Sequence, residues 1–189
     1  MAVDLDDTAL MLRYRDGDVA AFETLYARHR AALFRFVLRQ TNNRPVAEDV
    51  FQETWGRIIR SRTTYRPAAK FTTYLYHVAR NCIIDHFRRS QSQPANDQSN
   101  SVMDADAVAA PDNPAARADH GQSLQLALQK LPVEQREAFL LKEEGGFTLD
   151  EIATLTGVGR ETVKSRLRYA LGAMRQCLAS TETLGIEDG

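Results

Sequence analysis

FTLDEIATLTGVGRETVKSRLRYALGAM, residues Phe147 to Met174, holds a short helix, a sharp turn and a longer basic helix in immediate succession. Thr148 followed three residues later by Glu151 has the spacing of a capping box, which starts a helix carried on by Ile152 and Leu155. Gly157 stands where that helix must end in a left-handed conformation. The second helix begins near Gly159 or Arg160, and its period buries Val163, Leu167, Ala170, Leu171 and Met174. Arg160, Thr162, Lys164, Ser165, Arg166, Arg168 and Tyr169 are left facing outward. A basic, hydroxyl-rich N-terminal half on the second helix of such a pair suits the major groove of DNA, where Arg and Lys pair with guanine edges. A structural hairpin with a solvated basic face is the competing reading. Cap, turn glycine and charge coincide here, which favours DNA binding without saying which sequence is bound.

Working towards the N-terminus, every further segment with a clear period is helical. Ala21, Phe22, Leu25, Tyr26, Leu33, Phe34, Val37 and Leu38 recur at helical spacing between Asp18 and Gln40. Residues 41–44 break that pattern, and Pro45 opens a second helix to Arg60 with Ala47, Val50, Phe51, Trp55, Ile58 and Ile59 inward. After a loop over 63–67 comes KFTTYLYHVARNCIIDHFRR, Lys70 to Arg89. There Phe71, Tyr74, Leu75, Val78, Cys82, Ile83 and Phe87 form the apolar stripe. Lys70, Tyr76, His77, Arg80, Asn81, Ile84, Arg88 and Arg89 fall on the other side. Residues 91–118 are rich in Ser, Asn, Asp, Ala and Pro without a sustained apolar stripe, so they read as a linker. Leu124, Leu128, Leu131, Ala138, Phe139 and Leu141 then resume a helical period. Strand-like alternation is absent, so the expected fold is all-α: two small helical domains joined by a flexible linker, the second containing the helix-turn-helix.

Charge is segregated although the 189 residues sum to only −1. Lys70–Arg89 carries +3, Gly157–Leu178 carries +4, and the spacer Asn96–Asp119 carries −4. Two basic patches around an acidic spacer point to local nucleic-acid contacts rather than to bulk polycation binding. Two distant cysteines, Cys82 and Cys177, in apolar helical stripes suggest neither a disulfide framework nor a metal site. No run approaches the roughly 18 apolar residues of a membrane span, so a cytoplasmic protein without membrane insertion is expected.

The blocks VAEDVFQETWGRI (Val46–Ile58) and FTTYLYHVARNCIIDHFRR (Phe71–Arg89) resemble region 2 of bacterial RNA polymerase sigma factors. LQKLPVEQREAFLLKEEGGFTLDEIATLTGVGRETVKSRLR (Leu128–Arg168) resembles their region 4. The absence of a domain between them is similar to the extracytoplasmic-function (ECF) group of the sigma-70 superfamily. The resemblance implies region 2 over 1–92, an acidic linker over 93–118, region 4 over 119–181 and a tail over 182–189. It implies a factor that binds core RNA polymerase through its β′ and β subunits and directs transcription initiation at promoters. Glu48, Asp49, Gln52 and Glu53 would dock on the polymerase. Asn81 would hold a base flipped from the −10 element, with Arg80, Tyr76, His77, Ile84, Arg88, Arg89 and Lys70 around it. Arg160, Thr162, Lys164, Ser165, Arg166, Arg168 and Tyr169 would read the −35 element.

Family members often carry an acid three positions before Asp49, where this chain has Val46. Phosphate on Thr54 or Thr63, placed by a regulatory kinase, is one way to restore the missing charge. ECF factors are also commonly held by an anti-sigma factor. No cofactor is implied. An enzyme reading built on His77, Asp85 and His86 lacks an oxyanion hole and metal ligands. An autonomous helix-turn-helix regulator binding an operator would leave the aromatic-basic helix and the acidic face unexplained.

Overall fold

A computed structural model of the chain describes residues 5–92 and 124–184. The N-terminal bundle consists of α1 (Asp7–Arg15), α2 (Val19–Thr41), α3 (Arg44–Arg60), a 3-10 turn (Arg62–Thr64) and α4 (Phe71–Ser92). The C-terminal bundle consists of α5 (124–129), α6 (Val133–Glu143), α7 (Leu149–Thr156) and α8 (Arg160–Leu184). No strand occurs among the described residues, in agreement with the all-α expectation. The proposed linker over 93–118 lies outside the described residues.

Local chemistry accounts for the helix ends. The Asp18 carboxylate accepts from the Ala21 amide at 3.2 Å and starts α2. At the other end Asn42 adopts a left-handed conformation at φ 52°, which asparagine tolerates better than most residues. The next residue, Asn43, caps α3 by accepting from the Val46 amide at 3.1 Å, with Pro45 in the first turn. Two adjacent asparagines thus end one helix and begin the next.

The N-terminal core is aromatic. Trp55 packs edge-on against Phe22 and Tyr26, with ring centroids 5.7 and 5.1 Å away, and Phe51 completes the group. Leu25, Leu33, Val37, Ile58, Phe71 and Leu75 fill the rest. Helix α1 was not anticipated, yet Leu10, Met11 and Tyr14 are all buried. Three inward assignments fail: Ile59, Phe87 and Leu171 are 44, 39 and 40% exposed. Each sits at the margin of its stripe, where periodicity alone does not decide burial.

The helix-turn-helix forms as its spacing indicates. Thr148 accepts from the Glu151 amide, and the Glu151 carboxylate accepts from the Thr148 amide at 2.8 Å. Gly157 closes α7 at φ 72°, its amide donating to the Ala153 carbonyl. The Thr148 amide, then Lys70, then the Thr148 hydroxyl hold the Glu151 carboxyl down at about 2, against an ordinary 4.5. Thr148→Ala is expected to cost the C-terminal bundle about 1 kcal/mol in denaturant unfolding at neutral pH. Because the folded carboxyl is depressed, the Glu151 contribution is present above pH 4.5 and lost as pH falls towards about 2. The stability deficit of Glu151→Gln therefore closes over that window.

Candidate nucleic-acid interface

On α8 the expected reading face is open. Arg160, Thr162, Lys164, Arg168 and Tyr169 are exposed, with Ser165 and Arg166 half-buried at its edge. Val163, Leu167, Ala170 and Met174 anchor the opposite face in the bundle. Arg160 pairs with Asp150 at 3.1 Å and Lys164 with Glu161 at 3.7 Å, contacts between exposed groups that a DNA phosphate can replace. The Arg168 guanidinium lies 5.0 Å over the Tyr169 ring, so the two side chains form one stacked unit.

Helix α4 divides its expected residues differently. His77 and Ile84 are exposed, as are Arg88 and Arg89 further along. Asn81 is half-buried, its amide nitrogen 3.4 Å from His77 Nδ1. It borders an open cleft of about 420 Å³ lined also by Arg57, Arg60, Ser61, Tyr74 and Val78. Tyr76 is the correction. It is only 3% exposed, with Phe36 and Phe147 rings 5.1 and 5.0 Å away, and burial pushes its hydroxyl up to about 12. It belongs to the packing between the two bundles, not to an outward reading surface. Arg80 and Lys70 are turned towards the C-terminal bundle as well, pairing with Glu137 at 2.8 Å and Glu151 at 2.9 Å.

Arg57 and Arg60, absent from the sequence-based site, line the Asn81 cleft from the last turn of α3. Their signal was a basic pair at i, i+3, masked by the acids beside it. Arg57 donates to Glu53 at 2.8 Å and to Asp85 at 3.0 Å, tying α3 to α4. Asp85 also receives Arg88 at 3.2 Å, so it acts as an anchor for basic side chains. Among the described residues no group of three or more His, Cys, Asp or Glu is arranged to hold a metal ion. No described helix is long and apolar enough to cross a membrane.

The face of α3 expected to dock on the polymerase is also sorted by the structure. Glu48, Asp49 and Gln52 are exposed, while Glu53 is half-buried. Glu48 pairs with Arg44 at 3.1 Å, and Glu53 with Arg57 and Arg60. Val46 is partly buried against the core, so its methyl groups serve packing at the position where the resemblance leads one to expect an acid. Thr54 is fully buried and donates to the Val50 carbonyl at 2.7 Å, which removes it as a phosphate acceptor; Thr63 is exposed.

Comparison with known proteins agrees with this division. The model for Sigma-70 region 2 matches residues 25–93, and that for Sigma-70 region 4 matches residues 121–174. The RNA polymerase sigma factor CarQ of Myxococcus xanthus is 34% identical over 91% of this chain and 97% of its own length. The ECF RNA polymerase sigma factor SigL of Mycobacterium tuberculosis is 35% identical over 85% of this chain and 90% of its own. In fold, the chain is similar to sigma factor RpoE of Bartonella quintana, solved with the anti-sigma factor NepR (TM-score 0.67, 22% identity, 84% of this chain and 96% of that one). CnrH, solved with the cytosolic domain of CnrY, has a TM-score of 0.69 at 22% identity, over 92% of this chain and 97% of that one. A chain whose described residues form helices and no strand, with both regions in order and related along nearly its whole length to such factors, belongs to the ECF RNA polymerase sigma factors of the sigma-70 superfamily.

Proposed function

We propose that this ECF sigma factor reads the −35 element with the exposed face of α8 and the −10 element with α4 and the cleft beside Asn81. It docks on core RNA polymerase with Glu48, Asp49, Gln52 and Glu53. The observation that carries the reading is the pairing of two separate basic faces, one on a recognition helix and one around an asparagine at a cleft. Flipping a base costs a few kcal/mol, which edge hydrogen bonds and stacking offset. Asn81 has a donor and an acceptor for a base edge, and Tyr74, Arg57 and Arg60 wall the cleft it borders. His77 and Ile84 flank the path of the strand, and Arg88 and Arg89 stand where phosphates run. An anti-sigma protein is a partner of the kind this fold accepts, since RpoE of Bartonella quintana was solved with the anti-sigma factor NepR.

Run-off transcription with purified core polymerase on fragmented genomic DNA tests the assignment. The factor should yield discrete transcripts sharing two upstream elements. Asn81→Ala should bind core as before and lower open-complex formation by roughly 5- to 150-fold, the worth of one good base contact. Lys164→Ala should weaken promoters through the upstream element alone. Unchanged transcription by Asn81→Ala, or a shifted palindromic site with no transcripts at all, would overturn the proposal.

A further inference from the structure

The Asn81 carboxamide has a donor end and an acceptor end, and α4 commits the donor. Its amide nitrogen lies 3.4 Å from His77 Nδ1, one helical turn back. A donating nitrogen needs an acceptor, so Nδ1 carries no proton and the ring N–H sits at Nε2. His77 is exposed and stands outside the cleft that Asn81 borders. The carboxamide is planar, so tying its nitrogen to His77 leaves its oxygen to the cleft. That oxygen receives no hydrogen bond among the described residues. The rest of the cleft wall has the same polarity. The Ser61 hydroxyl donates to the Arg57 carbonyl at 2.7 Å, so the Tyr74 hydroxyl, 2.8 Å away, donates to Ser61. Both hydroxyl protons are thus spent inside the protein. The donors in the wall, Arg57 and Arg60, are held by Glu53, and Arg57 also by Asp85. A base entering beside Asn81 therefore meets an acceptor and is matched best by a donor.

We propose that His77 sets the base choice of this cleft. By accepting from Asn81 Nδ2 it aims Asn81 Oδ1 at the flipped base. That favours the exocyclic amino group of adenine or cytosine over the keto oxygen that guanine or thymine carries at the corresponding ring position. The proposal rests on the −10 reading above and gives His77 a positioning role within it. Without a partner at residue 77 the carboxamide can present either end, since a half-turn about χ2 exchanges its nitrogen and oxygen. With the partner, a keto base would bring two oxygens face to face and leave both unpaired, the costly case for desolvated polar groups. One turned amide is therefore enough to discriminate between bases.

Open-complex formation by holoenzyme tests this, on promoter templates carrying each of the four bases at each −10 position in turn. The position whose base preference Asn81→Ala erases is the one the cleft reads. There the wild type should favour adenine or cytosine over guanine and thymine by roughly 5-fold or more. His77→Glu supplies an acceptor only, so it should keep that order even as its negative charge slows every template. His77→Lys supplies donors only, so it should turn the amide round and reverse the order. A residue that merely supported α4 would change all four templates alike. His77 is exposed, so neither substitution removes core packing, and circular dichroism checks helicity. In the free factor, long-range proton–nitrogen NMR spectra should show the His77 ring proton on Nε2. The proposal is overturned by a ring proton on Nδ1, by a wild-type preference for keto bases, or by His77→Lys retaining the wild-type order. If Asn81→Ala leaves the preference intact at every −10 position, the −10 assignment fails and the role in base choice falls with it. The imidazole tautomer then still reports the His77–Asn81 contact.

Discussion

Trp55→Ala is expected to destabilise the N-terminal bundle by about 3–5 kcal/mol, the usual range for removing a large buried aromatic. The indole is 4% exposed and touches three aromatic rings from two helices, so its loss leaves a cavity that no single neighbour can fill. For a bundle of this size about 1 kcal/mol shifts the melting temperature by roughly 4–8 °C, so the variant should melt at least 12 °C lower or not fold at all. Thermal unfolding followed by circular dichroism reads this directly. Trp55→Phe separates packing from polarity. The indole Nε1 is buried without a hydrogen-bond partner, an arrangement that itself costs about 1–3 kcal/mol. Phenylalanine removes that donor while keeping most of the ring contacts, so its penalty should be under about 1.5 kcal/mol, as for other volume-tolerant apolar exchanges. Equal losses from the two variants would overturn the account in which ring packing sets the stability here and the unpaired Nε1–H opposes it.

What the sequence made legible follows the range of the forces involved. The cap and the turn of the helix-turn-helix were readable because a capping box and a left-handed glycine are local devices, set by neighbours within four positions. The inward faces of α2 and α4 were readable from period alone, apart from their margins. Helix α1 was not, because three buried side chains in nine residues, among arginines and aspartates, make too short a pattern. Tyr76 was assigned to the wrong environment for a different reason. Its position on α4 is off the main stripe, and it is buried by Phe147 from the other bundle, a contact with no local signature. Glu137 and Glu144, with their partners Arg35, Arg39 and Arg80, were illegible in the same way. Val46 is intermediate: the substitution was visible, but its half-buried packing against the core was not.

Asp49→Arg is expected to weaken binding to core polymerase by at least roughly 100-fold, since opposed like charges at an interface cost several kcal/mol. The structure sets Asp49 apart among the four residues proposed to dock. Glu48 shares its charge with Arg44, and Glu53 lies between Arg57 and Arg60, with Arg57 foremost in holding its carboxyl below the ordinary range. Asp49 is exposed, and no basic side chain among the described residues is paired with it, so its full charge faces outward at no cost to the fold. Reversing it should leave the melting temperature almost unchanged, because surface substitutions away from packed features stay within about 0.5 kcal/mol. Glu53→Gln should show the opposite pattern: a small change in affinity and a measurable loss of stability, since Arg57 then keeps Asp85 as its carboxylate partner. Val46→Asp supplies a third point. An acid in the first turn of α3 gains from the helix dipole, about 0.3–1 kcal/mol, and adds charge to the docking face while giving up partial packing. Its affinity for core should rise a few-fold, and more at low salt, where an exposed face is least screened. Equilibrium titration of labelled factor with core polymerase at two salt concentrations distinguishes these outcomes. If Asp49→Arg binds as wild type does while Glu53→Gln loses affinity, the polymerase grips the end of α3 near the Asn81 cleft rather than its acidic outer face.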